Sequence, residues 1–170
     1  MTDGWRETRL GDVAGDLTVG FVGSMASEYV PSGVPFLRSQ NVQPYRIELS
    51  DTKYVSPKFH STISKSALAP GDVVIVRTGK PGTAAVVPNH LTVANCSDLV
   101  IVRPGPHLDS RFLCYYLNGL AGSFVDGHLI GAVQQHFNVG AARLLPIRLP
   151  SICEQRRIGS LLGALDDKIE

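Results

Sequence analysis

Most of the chain alternates between short apolar runs and polar turns that contain glycine or proline. Val73–Val76 in GDVVIVRTG follows a Pro-Gly turn and is strongly β-branched, which predicts a buried strand. AAVVP and DLVIVRP predict two further strands, and the partly alternating YRIELSDTKYV predicts an exposed strand. VPFLRSQNV places an apolar segment directly before a polar turn. The pattern predicts a strand-rich domain.

Two internal segments have the pattern of helices. SPKFHSTISKSAL begins with Ser56 as a cap and Pro57 in the first turn. DSRFLCYYLNG has Asp109 as a cap, apolar residues at helical spacing, and Gly119 as a stop signal. The predicted fold class is therefore α+β, a strand-rich mixed globular domain with peripheral helices.

The C-terminal segment SICEQRRIGSLLGALDDKIE predicts one continuous helix. Ser151 and Glu154 form the S-x-x-E capping box, and Pro146 and Pro150 separate the helix from the preceding residues. We therefore expect a domain over residues 1–150 and a helix over residues 151–170. An apolar stripe follows the helical repeat, and two interpretations stay open: the stripe contacts a partner helix, or it packs against its own domain. The stripe consists of Ile158, Leu161, Leu162, Leu165 and Ile169.

Composition and charge fit a folded protein with a locally basic middle. The 170 residues are 44% apolar, and the net charge is only +1. Residues 36–80, however, hold seven lysines and arginines against three acids, a net of +4. Such a distribution suits a surface that faces a polyanion.

The cysteines and the hydropathy indicate a cytoplasmic protein without a membrane segment. Cys96, Cys114 and Cys153 are far apart, odd in number and not at metal-ligand spacing, which predicts buried free thiols in a reducing compartment. The apolar runs are too short to span a bilayer, and the N-terminus lacks the pattern of an export signal.

No motif for catalysis, for a metal or for a cofactor occurs in the sequence. The Asn/Asp-Pro-Pro-aromatic loop of adenine methyltransferases, the Walker loop, zinc motifs and the Gly-x-Ser-x-Gly elbow are all missing. Asp51 and Asp166 lie in DTK and DDK without a second fixed acid, so we interpret both as solvated charges. We expect no catalytic and no metal-binding residues, and an accessory nuclease stays an alternative.

Three polar clusters at the ends of apolar segments have the side chains that DNA-binding proteins use for base and phosphate contacts. Arginine suits guanine, glutamine and asparagine suit adenine, and lysine suits phosphate. An ordinary charged hairpin at 77–82 and a turn-forming role for Asn41 are the alternatives. The candidate DNA-binding residues are Arg38, Ser39, Gln40 and Asn41, then Arg77, Thr78, Gly79 and Lys80, and finally Gln134, Gln135 and His136.

The chain also resembles a known family. WRETRLGDV, VPFLRSQNV, LAPGDVVIVRTGKPGTAAVVP, FLCYYLNG, GAVQQHFN and LPIRLPSICEQRRIGSLLGALDDKIE occur in the order found in one half of a specificity subunit of type I restriction–modification systems. The resemblance implies that residues 1–150 form a target recognition domain for one half of a bipartite site in duplex DNA. It also implies that residues 151–170 begin a spacer helix, which pairs antiparallel with a second helix as a coiled coil.

The resemblance further implies a non-catalytic subunit and a set of partners. Modification subunits methylate adenine with S-adenosylmethionine, and a restriction subunit cuts DNA with ATP and Mg²⁺, so this chain needs no cofactor of its own. A complete subunit has two recognition domains, so the chain is either a half-length subunit or a piece of a longer one. A homodimer through the apolar stripe is a possible assembly, and a scaffold that does not contact DNA is the remaining alternative.

Overall fold

The structure is a computed structural model that describes residues 4–166 and residue 168. Its strands are β1 (Arg6–Arg9), β2 (Ala14–Val19), β3 (Tyr29–Val30), β4 (Val34–Leu37), β5 (Val42–Gln43), β6 (Arg46–Ile47), β7 (Lys53–Val55), β8 (Ala67–Leu68), β9 (Val73–Val76), β10 (Ala84–Val86), β11 (Ala94–Cys96), β12 (Leu99–Pro104) and β13 (Pro146–Leu149). Its helices are α1 (Leu10–Val13), α2 (Pro57–Thr62), α3 (Ser110–Leu120), α4 (Gly122–Gly127), α5 (Val139–Leu144) and α6 (Ile152–Asp166), with 3₁₀ turns at Ser39–Asn41 and Ser64–Ser66.

A four-stranded antiparallel sheet in the order β10-β9-β12-β2 lies at the centre of the molecule. All four residues of β9 are buried because both faces of this sheet are covered. Val73 and Ile75 belong to the core beneath the helices, whereas Val74 and Val76 belong to the core on the opposite face. This alternation follows from the two-residue repeat of a strand, and it explains the continuous apolar run in the sequence.

A five-stranded mixed sheet in the order β3-β7-β4-β11-β8 covers the second face. In it β4 and β11 are parallel, and the other neighbours are antiparallel. Phe36 and Val55 point into a smaller core, to which Phe59 of α2 contributes. The two remaining sheets are two-stranded: β1 pairs with β13, and β5 pairs with β6.

The helix starts lie where the sequence predicts them. The side chain of Ser56 accepts a hydrogen bond from the N–H of Phe59 at 3.1 Å, with Pro57 in the first turn. The side chain of Asp109 accepts from the N–H of Phe112 at 3.0 Å. These bonds satisfy N–H groups that have no partner inside the helix. The helix α3 includes Gly119, the expected stop, and ends one residue later at Leu120.

The predicted C-terminal helix is confirmed over Ile152–Asp166 as α6, which packs along α3, whereas Lys168 lies in a turn. Ser151 Oγ accepts from the N–H of Glu154 at 3.3 Å, as a capping residue does. A Cβ at Gly159 would lie 2.9 Å from the Cβ of Arg111, so the absence of a side chain allows the close approach of the two helices.

Three expectations are wrong in part. SPKFHSTISKSAL is an α-helix only to Thr62, and its last two residues form β8. YRIELSDTKYV is not one strand, because a turn in which Thr52 bonds to Leu49 separates β6 from β7. Of the three thiols, Cys96 and Cys114 are buried as predicted, but Cys153 is exposed at the start of α6. Burial raises the pKa of Cys114 to about 12, so we attribute no reactivity to that thiol.

Candidate nucleic-acid interface

The first polar cluster forms a 3₁₀ turn directly after β4. Asn41 is buried in this turn: its Oδ1 accepts from the N–H of Arg38 at 3.0 Å, and its Nδ2 donates to the carbonyl of Glu48 at 3.0 Å. The amide therefore stabilises the turn, and this arrangement corresponds to the turn-forming alternative. Arg38 and Ser39 are partly buried, and Gln40 is exposed.

Asp51 holds the side chains of the first cluster together. Arg38 Nη2 donates to the carbonyl of Asp51 at 2.6 Å and to its Oδ2 at 3.1 Å, and Gln40 Nε2 donates to Oδ2 at 2.7 Å. Lys53 Nζ lies 3.8 Å from Oδ1. The hydrogen bond from Arg38 lowers the pKa of the Asp51 carboxyl below its usual value. Asp51 is thus an exposed charge, as predicted, but it is also a bonded member of this cluster, which the sequence did not indicate.

The second polar cluster follows β9. Arg77 Nη1 lies 3.2 Å from Oδ1 of Asp98, and the hydroxyl of Thr78 donates to Oδ2 of the same carboxylate. The next two residues, Gly79 and Lys80, are exposed at the tip of the turn. Lys80 has no carboxylate within ion-pair distance in the part of the chain that the structure describes. Its ammonium group is therefore available to a phosphate.

The third polar cluster lies on a tight hairpin. Ile130 and His136 exchange two backbone hydrogen bonds, of 3.0 and 2.8 Å, which close the loop 131–135. A Cβ at Gly131 would lie 2.3 Å from the carbonyl oxygen of Gln134, and the φ of Gly131 is +118°, so the loop requires glycine here. Gln134 and Gln135 are exposed, and His136 is partly buried.

The first two clusters meet at Asp98, and the third lies next to the second. Besides holding Arg77 and Thr78 through its carboxylate, Asp98 accepts a hydrogen bond from Ser39 Oγ on its carbonyl at 3.4 Å. The N–H of Phe137, the residue after the third cluster, donates to the carbonyl of Arg77 at 3.0 Å. We call this meeting point, formed by Ser39, Arg77, Thr78, Asp98 and Phe137, the Asp98 junction. It places segments distant in sequence at one end of the central sheet.

Asp98 itself has a backbone conformation that few residue types adopt. Its φ is +54°, in the left-handed region, where aspartate and asparagine are tolerated better than most residues with a side chain. The tight backbone places the carboxylate beside Arg77 immediately before β12 begins. Neither Asp98 nor the bonded role of Asp51 is visible in the sequence, because pairing between distant segments leaves no local pattern.

The candidate interface residues on α6 have different environments. Ile158 is partly buried and packs against the main core, Leu162 is partly buried, and Leu161 and Leu165 are 63% and 49% exposed. Ile169 lies outside the described residues. The helix is therefore docked on its own domain through one face, while two leucines of the stripe face outward.

Polar contacts add to the docking of α6. The side chain of Gln155, only 1% exposed, donates to the carbonyls of His107 and Pro150 at 3.0 Å each and accepts from the N–H of Asp109 at 2.9 Å. Near the other end, the hydroxyl of Tyr115 donates to Asp166. Asp166 is therefore not the solvated charge that the sequence indicated.

Two general features complete the description. Among residues 4–166 and 168, no three His, Cys, Asp or Glu side chains are arranged to hold a metal ion. No helix in the same described part has the length and hydropathy needed to cross a membrane.

Solved structures with a similar fold come from restriction–modification systems. A chain of a type I system, studied for complex assembly and conformational transition, matches with a TM-score of 0.75 and 24% identity, over 98% of this chain and 39% of that one. The HsdS subunit of Thermoanaerobacter tengcongensis matches with a TM-score of 0.71 and 23% identity, over 99% and 39%. The S subunit of a type I system from M. genitalium matches with 0.66 and 14%, over 96% and 39%.

The chain thus spans about two fifths of the length of each of these three solved chains. No curated protein sequence gives a significant match. The sequence profile of the family described as type I restriction modification DNA specificity domain matches residues 2–170, which is nearly the whole chain. The chain therefore belongs to the family of type I restriction–modification DNA specificity domains.

Proposed function

We propose that this domain recognises one half of a bipartite sequence in duplex DNA as part of a type I specificity subunit. The observation that carries the proposal is the Asp98 junction, which brings three polar clusters to one end of the central sheet. A surface that combines guanidinium, amide and ammonium groups suits recognition of base edges and phosphates together.

The members of the surface have different proposed roles. Arg38 and Arg77 contact base edges, Gln134 and Gln135 supply amides from the hairpin, and Lys80 contacts a phosphate. Ser39, Gln40, Thr78, Gly79 and His136 shape or border the surface. Asn41 is left out, since its buried amide is already bonded within the turn.

The subunit in this proposal performs no chemistry. Modification subunits that bind S-adenosylmethionine methylate the site, and a restriction subunit that uses ATP and Mg²⁺ cleaves unmodified DNA, both in the cytoplasm. The role of the present chain is to bring these subunits to a sequence. A map of methylated adenines in the DNA of the source organism tests this, because the proposal requires a split, adenine-modified site.

Single alanine substitutions in the three clusters are expected to weaken DNA binding. Target duplexes are first enriched from a random library with the unmodified chain, and affinities are then measured by fluorescence anisotropy. Arg38→Ala and Gln135→Ala are expected to cost about 1–3 kcal/mol each and to relax the preference at one position. Lys80→Ala is expected to weaken binding to all sequences equally. It is also expected to reduce the slope of log affinity against log salt concentration by about one, the contribution of one phosphate contact.

Arg148→Ala is the matched control for these variants. Arg148 carries the same charge, but it lies on β13 in the separate two-stranded sheet and contacts only Glu7, at 3.7 Å, among the ion pairs described. We expect it to bind the target like the unmodified chain. Unchanged affinity in Arg38→Ala, Lys80→Ala and Gln135→Ala alike would favour a scaffold that does not contact DNA.

We also propose that the outward face of α6 forms the assembly surface, toward a second spacer helix or a second copy of this chain. Leu161→Asp and Leu165→Asp are each expected to weaken association by about 1.5–3 kcal/mol, the contribution of one buried leucine. Leu120→Asp is the control, since Leu120 is 72% exposed on α3. Sedimentation velocity over a concentration series measures the effect, and equal behaviour of all three variants would contradict the assignment.

A further inference from the structure

Both candidate base-contacting arginines are paired with a carboxylate. Arg38 donates to Asp51, and Arg77 lies against Asp98, with the closest side-chain atoms 3.1 and 3.2 Å apart. The two pairs belong to neighbouring segments, because Ser39, next to Arg38, donates to the carbonyl of Asp98 at 3.4 Å. A surface that bound DNA through phosphates alone would have no need for acidic residues at these positions.

In each pair the carboxylate is the outer member. The side chains of Asp51 and Asp98 are 64% and 41% exposed, whereas those of Arg38 and Arg77 are 20% and 14% exposed. An approaching group therefore meets the acid first and the guanidinium second. A phosphate is repelled by the carboxylate, and it has to break a charge-assisted hydrogen bond to reach the arginine.

A G·C base pair offers a better match than a phosphate. In the major groove guanine presents two acceptors, N7 and O6, and cytosine presents a donor, the N4 amino group. An arginine beside an aspartate presents the complementary set, guanidinium donors next to a carboxylate acceptor. Such a base pair can bond to both members and leave their mutual contact in place.

From this geometry we infer that Asp51 and Asp98 are specificity-determining residues, each of which forms with its arginine a composite recognition unit for a G·C base pair and disfavours contact with phosphate alone. The inference rests on the proposed DNA recognition. It predicts that loss of the carboxylate charge increases binding to DNA in general while it decreases discrimination between sequences.

The test compares Asp98→Asn with the unmodified full chain. Asparagine is chosen because it tolerates the left-handed backbone of Asp98, where alanine would be strained. We expect affinity for a non-target duplex to rise about tenfold, with a salt dependence steeper by about one phosphate contact. The ratio of target to non-target affinity is expected to fall about 10–100-fold, and selection from a random duplex library should lose its preference at one G·C position.

Asp16→Asn is the matched control. Asp16 forms the same kind of pair, 2.6 Å from Arg103, with comparable exposure of 49% and 33%. Arg103 lies about 13 Å along β12 from Leu99, the residue after Asp98, so this pair is at the opposite end of the sheet. We expect this variant to keep the ratio of target to non-target affinity and the sequence preference of the unmodified chain.

Asp51→Asn is a second variant, because Asp51 is well exposed and its replacement spares the Asp98 junction. Thermal unfolding of each variant shows whether its fold is kept. If Asp98→Asn does not fold, the binding result for Asp51→Asn alone tests the inference. If the folded variants bind like Asp16→Asn, the inference is overturned while the proposed function stands. If the unmodified chain enriches no sequence from the library, the proposed function itself fails.

Discussion

Replacing Phe137 by alanine is expected to lower the free energy of unfolding by about 3–5 kcal/mol, the usual cost of removing a buried phenylalanine from a core. Phe137 is 0% exposed and belongs to the main core between the helices and the central sheet. It follows His136 directly, and its N–H donates to the carbonyl of Arg77 at 3.0 Å. The side chain therefore fixes the hairpin of the third cluster to the core.

Urea denaturation measures this loss, with the fluorescence of the single tryptophan as the probe. Trp5 lies against Phe112 of α3 with 6.3 Å between the ring centroids, so its emission reports on the same core. Val133→Ala is the matched control, because Val133 is fully exposed at the tip of the same hairpin. We expect the control to change stability by less than about 0.5 kcal/mol. A loss below about 1 kcal/mol in Phe137→Ala would contradict the buried position of the ring.

The DNA affinity of Phe137→Ala tests whether the hairpin must be held in place, because this variant keeps the polar side chains of the hairpin. At a temperature where Phe137→Ala is still folded, we expect DNA affinity to fall at least as far as in Gln135→Ala, because the entire hairpin loses its fixed position. Alanine keeps the N–H that donates to the carbonyl of Arg77, but we expect this bond to weaken because the hairpin is no longer held by the ring. This outcome would identify the packing beneath the surface as a requirement for recognition.

Local patterns in the sequence were sufficient where burial, or a bond between residues a few positions apart, decides the structure. Val73–Val76 forms a buried strand because each residue lies in one of two cores, and a β-branched run is the direct consequence of that environment. Ser56 and Asp109 cap helices through bonds to residues three positions away, so the signal lies within a few residues. Such features need no knowledge of the rest of the chain.

Features that depend on distant segments were not predictable in this way. YRIELSDTKYV has the alternation of a strand, but Asp51 within it holds Arg38 and Gln40, and the backbone turns there. Asp98 gives no local signal at all, since its partners lie 20 and 59 residues away at Thr78 and Ser39. The residue types of the three clusters were visible in the sequence, whereas their convergence depends on the order of the strands. The DNA contacts themselves stay predictions.

The C-terminal helix shows the same division between local and distant information. Its apolar stripe was visible, but the face that docks on the domain contains Gln155 and Gly159, which a search for apolar periodicity ignores. A buried glutamine is expected in a helix interface only if its amide is fully bonded, and that depends on loops at His107 and Pro150. The docking of α6 thus depends on the hydrogen bonds of Gln155 as well as on a small apolar contact.

Gln155→Leu is expected to destabilise the protein by about 3 kcal/mol or more, although leucine is apolar and similar in volume. The substitution leaves the N–H of Asp109 and the carbonyls of His107 and Pro150 without their partner, and each unsatisfied buried group costs about 1–3 kcal/mol. We expect faster tryptic cleavage within α6 at Arg156 and Arg157 under native conditions, before global unfolding. The same substitution at an exposed site, Gln135→Leu, is the control for stability and cleavage. Equal stability and equal cleavage in both variants would contradict this role of Gln155, whereas cleavage limited to α6 in Gln155→Leu would show that this one amide holds the helix on its own domain.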